Sequence, residues 1–152
     1  MKKTTLYNKH LQLNAKIIPF SGYLMPVQYE GVNAEHLHVR NSVGLFDVSH
    51  MGEFFLEGEK STDLLQLICT NDISKIGNEK AQYSCLTNEK GGIIDDLIIY
   101  KFNNNKFMLV VNADNIKKDW DWIKNKNEKF GNKLDNRSDP VSYTHLTLPT
   151  KA

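Results

Sequence analysis

The sequence predicts an α+β fold in which an antiparallel sheet packs against helices. Three strand-like segments, 82–87, 93–102 and 106–112, are joined by short turns rich in Asn and Gly, which is typical of hairpin-linked strands. The next segment, 114–129, has apolar residues at helical spacing and Gly131 behind it as a stop, as expected for a helix packed on the sheet. A chain of 152 residues is long enough for one domain with a core and too short for two.

The segments before the sheet are less regular. Pro19 and Pro26 interrupt the apolar groups of residues 1–28, so this region is expected to form loops with one or two short strands. Apolar residues at helical spacing, with Gly44 as a stop, predict a helix over 34–43. Further along the chain we expect a strand at 54–57 and a short helix at 64–68 with an N-cap cluster at 61–63.

The composition argues against several classes of partner. Apolar residues make up 40% of the chain, charged residues 24%, and the formal net charge is +1, so nothing favours nucleic acid or an anionic membrane surface. No apolar stretch approaches the ~20 residues that a membrane helix needs. The N-terminus has neither a secretory signal nor a transit pattern, and a cytoplasmic protein is expected.

The two cysteines do not suggest a functional site. Cys69 and Cys85 each lie in an apolar run, where a reduced thiol is the default. Two isolated cysteines make neither a disulfide framework nor a metal site. We therefore predict no bound metal.

The last residues of the chain do not resemble a continuation of the domain. Residues 141–150, VSYTHLTLPT, have no cap or periodic pattern ahead of them and are similar to the translation of a transposase sequencing adapter. We therefore expect a native portion over 1–139 and a non-native, adapter-derived tail over 140–152. The alternative is a native strand with alternating side chains, Val141, Tyr143 and His145.

The two turns also predict which side chains share a face of the sheet. A three-residue loop at 103–105 places Asp96 opposite Asn112, and a four-residue loop at 88–91 places Tyr83 opposite Asp96. Because strand side chains alternate with period two, these three residues are expected to form one row across three strands. The same face is expected to carry Ile94, Ile98, Tyr100, Met108 and Val110.

This row is chemically unusual. A carboxylate at Asp96, flanked on its own face by Ile94 and Ile98, is costly to desolvate unless something pairs with it. The Tyr83 hydroxyl and the Asn112 amide can each donate a hydrogen bond to it. Asp96 is therefore a functional-site candidate, while the pattern alone also allows a solvated or edge-strand Asp without a role.

Six blocks of the sequence resemble glycine-cleavage aminomethyltransferases (T-proteins). They occur in the family's order over about residues 4–137 and read TTLYNKH (4–10), GYLMPVQY (22–29), VRNSVGLFDVSHMGE (39–53), TNDISK (70–75), NEKGGIIDDLIIYKF (88–102) and LVVNADNIKKDWDWI (109–123). The native sequence covers somewhat over a third of a typical family member. The resemblance therefore implies the N-terminal part of the aminomethyltransferase folate-binding fold, in truncated form.

The resemblance also implies a reaction and its residues. Family members transfer the one-carbon unit of an aminomethyl group from the lipoyl arm of the H-protein to tetrahydrofolate, with release of ammonia and without a metal, flavin or nucleotide. Asp96 matches the family's catalytic carboxylate. Five residues match positions that line the folate pocket, namely Met51, Tyr83, Tyr100, Val110 and Asn112.

Alternatives remain for both function and completeness. A non-catalytic folate-binding module of the same superfamily, or the folate domain of a flavin-dependent demethylase, would share the fold, but the intact DVSHMGE and IDDL motifs favour the transferase. The family supplies an acidic and an Arg anchor for folate from its second half, so this chain alone is expected to be inactive.

We expect a structural hydrogen bond for His50, a surface or capping position for His10, and the opposite strand face for Asp95.

Overall fold

The computed structural model describes residues 1–138 and has an α+β architecture, as predicted. The predicted tail, 140–152, lies outside the described residues, and its boundary stays a prediction. No helix in the described part is long and apolar enough to cross a membrane. In chain order the elements are β1 (Lys2–Lys3), α1 (Tyr7–Gln12), β2 (Lys16–Phe20), β3 (Tyr23–Gln28), α2 (Val32–Asn41), β4 (Gly52–Glu57), α3 (Ser61–Ile68), β5 (Lys80–Thr87), β6 (Ile93–Asn103), β7 (Lys106–Val111), α4 (Ile116–Asn127) and β8 (Lys133–Asn136).

The described chain divides into two compact units, Met1–His50 and a second unit that begins at Met51. The first unit contains a three-stranded sheet in the order β1-β3-β2 together with α1 and α2. The short strands agree with the prediction for residues 1–28, whereas α1 was not predicted. Pro19 is accommodated because β2 is an edge strand, where a missing N–H need not break a ladder of hydrogen bonds.

A buried polar network ties together distant parts of the first unit. Asp47 Oδ2 accepts a hydrogen bond from Thr4 Oγ1 at 2.7 Å and lies 2.7 Å from His10 Nε2. The Tyr29 hydroxyl lies 2.8 Å from the other ring nitrogen, Nδ1. The prediction of a surface or capping position for His10 was therefore wrong, because the ring is buried between a carboxylate and a phenol. Burial raises the pKa of Asp47, but hydrogen bonds from Ser49, His10 and Thr4 outweigh it and the pKa is lowered.

The second unit is built on a five-stranded antiparallel sheet in the order β5-β6-β7-β4-β8. One face packs against α3 and α4 and forms the core, because strand side chains alternate between the two faces. The largest fully buried core side chains include Phe54, Leu56, Leu86, Ile99, Phe107, Leu109 and Val111 from the strands and Leu64, Leu65 and Ile123 from the helices. We call the opposite face of the sheet the site face; from β6 and β7 it carries Asp96, Ile98, Tyr100, Met108 and Val110. The prediction that Ile94 shares this face was wrong: Ile94 is the extra residue of a bulge in β6, and its side chain packs against the core.

The predicted pairing of β6 with β7 is confirmed. Tyr100 lies opposite Met108, and Ile98 lies opposite Val110. An irregularity in the pairing beyond Lys101 brings Asn103, rather than Phe102, opposite Lys106. It lies at the turn end of the hairpin and does not disturb the end that carries Asp96.

The predicted pairing of β5 with β6 was wrong by two residues. Tyr83 lies opposite Ile98 rather than opposite Asp96. The connection is one residue longer than predicted, since the Asn88 side chain accepts a hydrogen bond from the backbone N–H of Gly92 across the turn, and a bulge next to Thr87 adds the second residue. An even shift leaves each side chain on its predicted face, so the row of polar residues survives in diagonal form.

The ends of other elements also differ from the predictions. α2 ends at Asn41, so Gly44 does not act as its stop. α3 begins at Ser61, which places the predicted N-cap cluster inside the first turn, after Lys60. β8 was not predicted, because KLDN lacks apolar alternation; it forms as an edge strand on β4.

Two leucines of α3 test the assignment of the core face. Leu65 is fully buried, whereas Leu67 is 59% exposed on the same helix. We expect Leu65→Ala to lower the free energy of unfolding by about 2–5 kcal/mol, since it leaves a cavity. Leu67→Ala should lower it by less than about 1 kcal/mol. Urea unfolding of both variants provides the measurement, and equal losses would contradict the core assignment.

Candidate active site

The side-chain amide of Asn112, just after β7, joins two carboxylates of β6. Its Nδ2 atom lies 3.0 Å from Asp96 Oδ1, 3.2 Å from the Asp96 backbone oxygen and 3.1 Å from Asp95 Oδ1. Because three acceptor oxygens surround this amide atom, it must be the nitrogen; a flipped amide would place the side-chain oxygen of Asn112 against those oxygens. The predicted contact between Asn112 and Asp96 is therefore present.

Tyr83 reaches Asp96 from the neighbouring strand. The two residues are diagonal rather than directly opposite, yet an aromatic side chain spans that distance, and the Tyr83 hydroxyl donates a hydrogen bond to the Asp96 carboxylate. This hydrogen bond, followed by burial and the nearby negative charges, raises the pKa of the Tyr83 phenol. The ring remains 62% exposed, so most of its surface is available for contact with a bound molecule.

Apolar side chains continue the site face away from Asp96. Met108 and Val110 of β7 are buried, and Tyr100 of β6 is half-buried beside them. Met51 is half-buried and directly precedes Gly52, which pairs with Val111 at the end of the sheet. The structure therefore brings Tyr83, Asp96 and Asn112 into contact, with Tyr100, Met108 and Val110 on the same face and the backbone of Met51 at the adjoining edge.

Glu53 is a further acidic residue on the site face that the sequence analysis did not identify. It lies opposite Val110 in the pairing of β4 with β7 and is 3% exposed. Its Oε2 atom is buried and has no hydrogen-bond partner among the described residues. Burial raises the pKa of the Glu53 carboxyl to about 7. The alternation in GEFFLE could have revealed it, but only with the register of β4, which was not predicted.

A second unpredicted acid lies behind the strand that carries Asp96. Asp119 of α4 is fully buried and faces Asp95, which points to the core side of β6 as expected. Burial, together with the hydrogen bond and the charge of Asp95, raises the pKa of Asp119 to about 8. Asp119 is flanked in the sequence by charged residues, KKDWD, and this local pattern gives no sign of burial.

His50 packs between aromatic rings of the first unit. Its ring meets Phe20 edge-on with centroids 5.6 Å apart, and Tyr23 at 6.3 Å. Within residues 1–138, no group of three or more His, Cys, Asp or Glu side chains is arranged to hold a metal ion.

Comparison with known proteins identifies the kind of domain. The profile described as the GCVT N-terminal domain matches residues 6–149, and the chain belongs to this family. The aminomethyltransferase of Flavobacterium psychrophilum is 58% identical over 152 residues, which cover 100% of this chain and 42% of the relative. The aminomethyltransferase of Staphylococcus carnosus is 50% identical over 149 residues, covering 98% of this chain and 41% of the relative.

A solved structure shows the same fold. The crystal structure of glycine cleavage system aminomethyltransferase T from Bartonella henselae matches with a TM-score of 0.79 and 34% sequence identity, covering 90% of this chain and 38% of that one. The chain thus spans about two fifths of the length of these curated relatives. The sequence and the fold agree on the family.

The raised pKa of Glu53 predicts a pH-dependent stability. The folded state holds a proton that the unfolded state releases between the ordinary value of 4.5 and about 7, so the free energy of unfolding falls as the pH rises through that window. Glu53→Gln removes this loss, and we expect the variant to exceed the wild type by roughly 1–3 kcal/mol at pH 8, with little difference at pH 4.5.

Urea unfolding at both pH values measures this difference. Glu57→Gln, at an exposed position of the same strand, is the matched control and should follow the wild type at each pH. A constant offset between Glu53→Gln and the wild type would show that folding does not raise the pKa of Glu53.

Proposed function

We propose that this chain is the N-terminal part of an aminomethyltransferase of the glycine cleavage system. The reaction moves the one-carbon unit from an aminomethyl-lipoyl carrier, the H-protein, to tetrahydrofolate; ammonia leaves and the lipoyl arm is released in its reduced form. The observation that carries the proposal is the Asp96 carboxylate, which is held between the Asn112 amide and the Tyr83 phenol on the site face. The names of the relatives support the same activity.

Asp96 is the proposed catalytic residue. A carboxylate next to the nitrogens of a reduced pterin can hold them in reacting geometry and can accept or return their protons while the carbon is transferred. The hydrogen bonds from Asn112 and Tyr83 fix the position of the carboxylate before any substrate arrives. Such preorganisation avoids a rearrangement cost during the reaction.

The chemistry of the site face suits a reduced folate. A pterin has an apolar ring face and a polar edge of nitrogens, and pockets for such molecules combine apolar walls with a few polar groups. Half-buried Tyr100 offers apolar surface on the same face as the buried Val110, Tyr83 offers an exposed ring, and Asp96 with Asn112 forms the polar end. In this proposal Met51 contributes to the wall at the edge of the sheet.

The remaining assignments follow from the same proposal. The lipoyl-bearing H-protein is the expected macromolecular partner, the expected location is the cytoplasm, and no nucleic acid, membrane or metal takes part. A non-catalytic folate-binding module is the second candidate. It would use the same contacts for binding but would not need the charge of Asp96 for turnover.

Asp96→Asn separates these two candidates. We propose a chimera that joins residues 1–138 of this chain to the remaining sequence of the Flavobacterium psychrophilum relative. In the chimera, Asp96→Asn should lower kcat by about 100-fold or more, since a general acid–base group is removed. The Kd for tetrahydrofolate should change less than about tenfold, because the amide keeps the shape and the hydrogen bonds of the residue.

Methylenetetrahydrofolate formation and calorimetric folate binding are the two readouts. Asp121→Asn, at an exposed carboxylate of α4, serves as the control and should leave both unchanged. Full turnover in Asp96→Asn would contradict a catalytic role, and an inactive unsubstituted chimera would favour the non-catalytic candidate.

The isolated 152-residue chain should form little or no methylenetetrahydrofolate. Interactions that depend on the exclusion of water weaken in a site with part of its walls missing. The measurement compares product formation by equal amounts of the isolated chain and the chimera. Comparable rates would show that the whole active site lies within this chain.

A further inference from the structure

A pair of buried carboxyl groups lies directly behind the proposed catalytic residue. Asp119 on α4 is 0% exposed and Asp95 on β6 is 8% exposed. Both oxygens of Asp119, and Oδ2 of Asp95, are buried without a hydrogen-bond donor among the described residues. Two carboxyl groups that face each other in a buried position cannot both be ionised, so one of them keeps its proton.

The environment decides which of the two acids keeps the proton. Burial raises the pKa of Asp119, and the adjacent Asp95 raises it further, to about 8. Burial also raises the pKa of Asp95, but hydrogen bonds from Asp119, Asn112, Asn115 and the Asp96 backbone outweigh it, so that pKa is lowered. The protonated carboxyl is therefore that of Asp119, and its O–H donates to the Asp95 carboxylate.

The chain of hydrogen bonds continues from this pair to the site face. Asp95 Oδ1 lies 3.1 Å from Asn112 Nδ2, and the same nitrogen lies 3.0 Å from Asp96 Oδ1. The two hydrogens of that nitrogen thus serve carboxylates that point to opposite faces of one strand. A displacement of Asp95 would move Asn112 and, with it, one of the hydrogen-bond donors to Asp96.

We propose that Asp119 is a positioning residue for Asp96: its proton holds Asp95, Asp95 holds Asn112, and Asn112 orients the catalytic carboxylate. The part of this inference that concerns catalysis rests on the proposed function. The sharing of the proton between Asp119 and Asp95 does not. When Asp119 loses its proton, two negative charges meet behind the strand and the Asn112 amide is no longer held in one place.

The charged groups around Asp119 set the direction of the pH effect. Asp95 of β6 faces Asp119, and the charge of Asp96 acts on it from the other side of the strand; both favour the protonated form of Asp119, whereas Lys118 of its own helix acts in the opposite sense. The ammonium group of Lys118 donates a hydrogen bond to the backbone oxygen of Ile94 at 2.7 Å. Since the pKa of Asp119 is raised from 3.8 to about 8, the arrangement should persist below about pH 8 and fail above it.

Two substitutions separate the proton from the shape of the side chain. Asp119→Asn replaces the O–H donor by an N–H donor of the same size that does not ionise. Asp119→Leu keeps the branched shape of the side chain, in a larger form, and removes the donor. Asp121→Asn, on the exposed side of the same helix, is the control.

The first measurement is a carboxyl carbon NMR titration of the 152-residue chain from pH 4 to pH 10. We expect a carboxyl of Asp119 that titrates near pH 8, and an Asp96 carboxyl signal that shifts in the same pH range. In Asp119→Asn the Asp96 signal should lose that dependence. A carboxyl of Asp119 that titrates near pH 4, or an Asp96 signal that ignores it, would overturn the proposal.

The second measurement is the pH profile of kcat in the chimera. The unsubstituted protein should lose activity above about pH 8, Asp119→Asn should retain activity to at least one pH unit higher, and Asp119→Leu should lose about tenfold or more at pH 7. A purely structural pair would lower stability in Asp119→Leu without moving the pH profile, and that result would overturn the positioning role. Failure of the proposed function would appear instead as an inactive unsubstituted chimera, in which case the NMR titration alone decides the inference.

Discussion

The two-residue alternation of side chains along β6 is the constraint on which the rest of the site depends. It sends the adjacent acids Asp95 and Asp96 to opposite faces of the sheet, one toward the helices and one toward the site face. Asn112, at the end of the next strand, is the residue whose amide reaches both. The position of the candidate catalytic carboxylate is therefore tied to the packing of the core, not to the site face alone.

The elements of this sheet could be predicted where local chemistry determines them. The turns after β5 and β6 are rich in Asn and Gly, which made the hairpins and the order of β5, β6 and β7 visible in the sequence. The exact pairing of β5 could not be predicted, because the length of the turn depends on the hydrogen bonds that Asn88 makes within it. The row of Tyr83, Asp96 and Asn112 survived that error, since a shift of two residues preserves the face.

Residues whose partners are distant in sequence could not be found from the pattern. The burial of His10 depends on Asp47, 37 positions away, and that of Asp119 on the packing of α4 against β6. In the sequence, Glu53 resembles an ordinary acid near the start of a strand, and its position on the site face becomes evident only from the pairing of β4 with β7. In each case a titratable group is buried by tertiary packing, and such packing is a property of the fold and not of a local period. The resemblance to the family supplied the functional expectation that spacing alone left open.

The sheet thus gives the proposed transferase a carboxylate that is oriented before substrate arrives, with an apolar surface beside it and a shared proton behind it. The most direct measurement is a crystal structure of the chimera with tetrahydrofolate. The account predicts that the pterin lies against the site face with a ring nitrogen about 3 Å from an Asp96 oxygen, next to Tyr83 and Asn112. A pterin bound elsewhere, with the Asp96 carboxylate making no contact to it, would contradict the account.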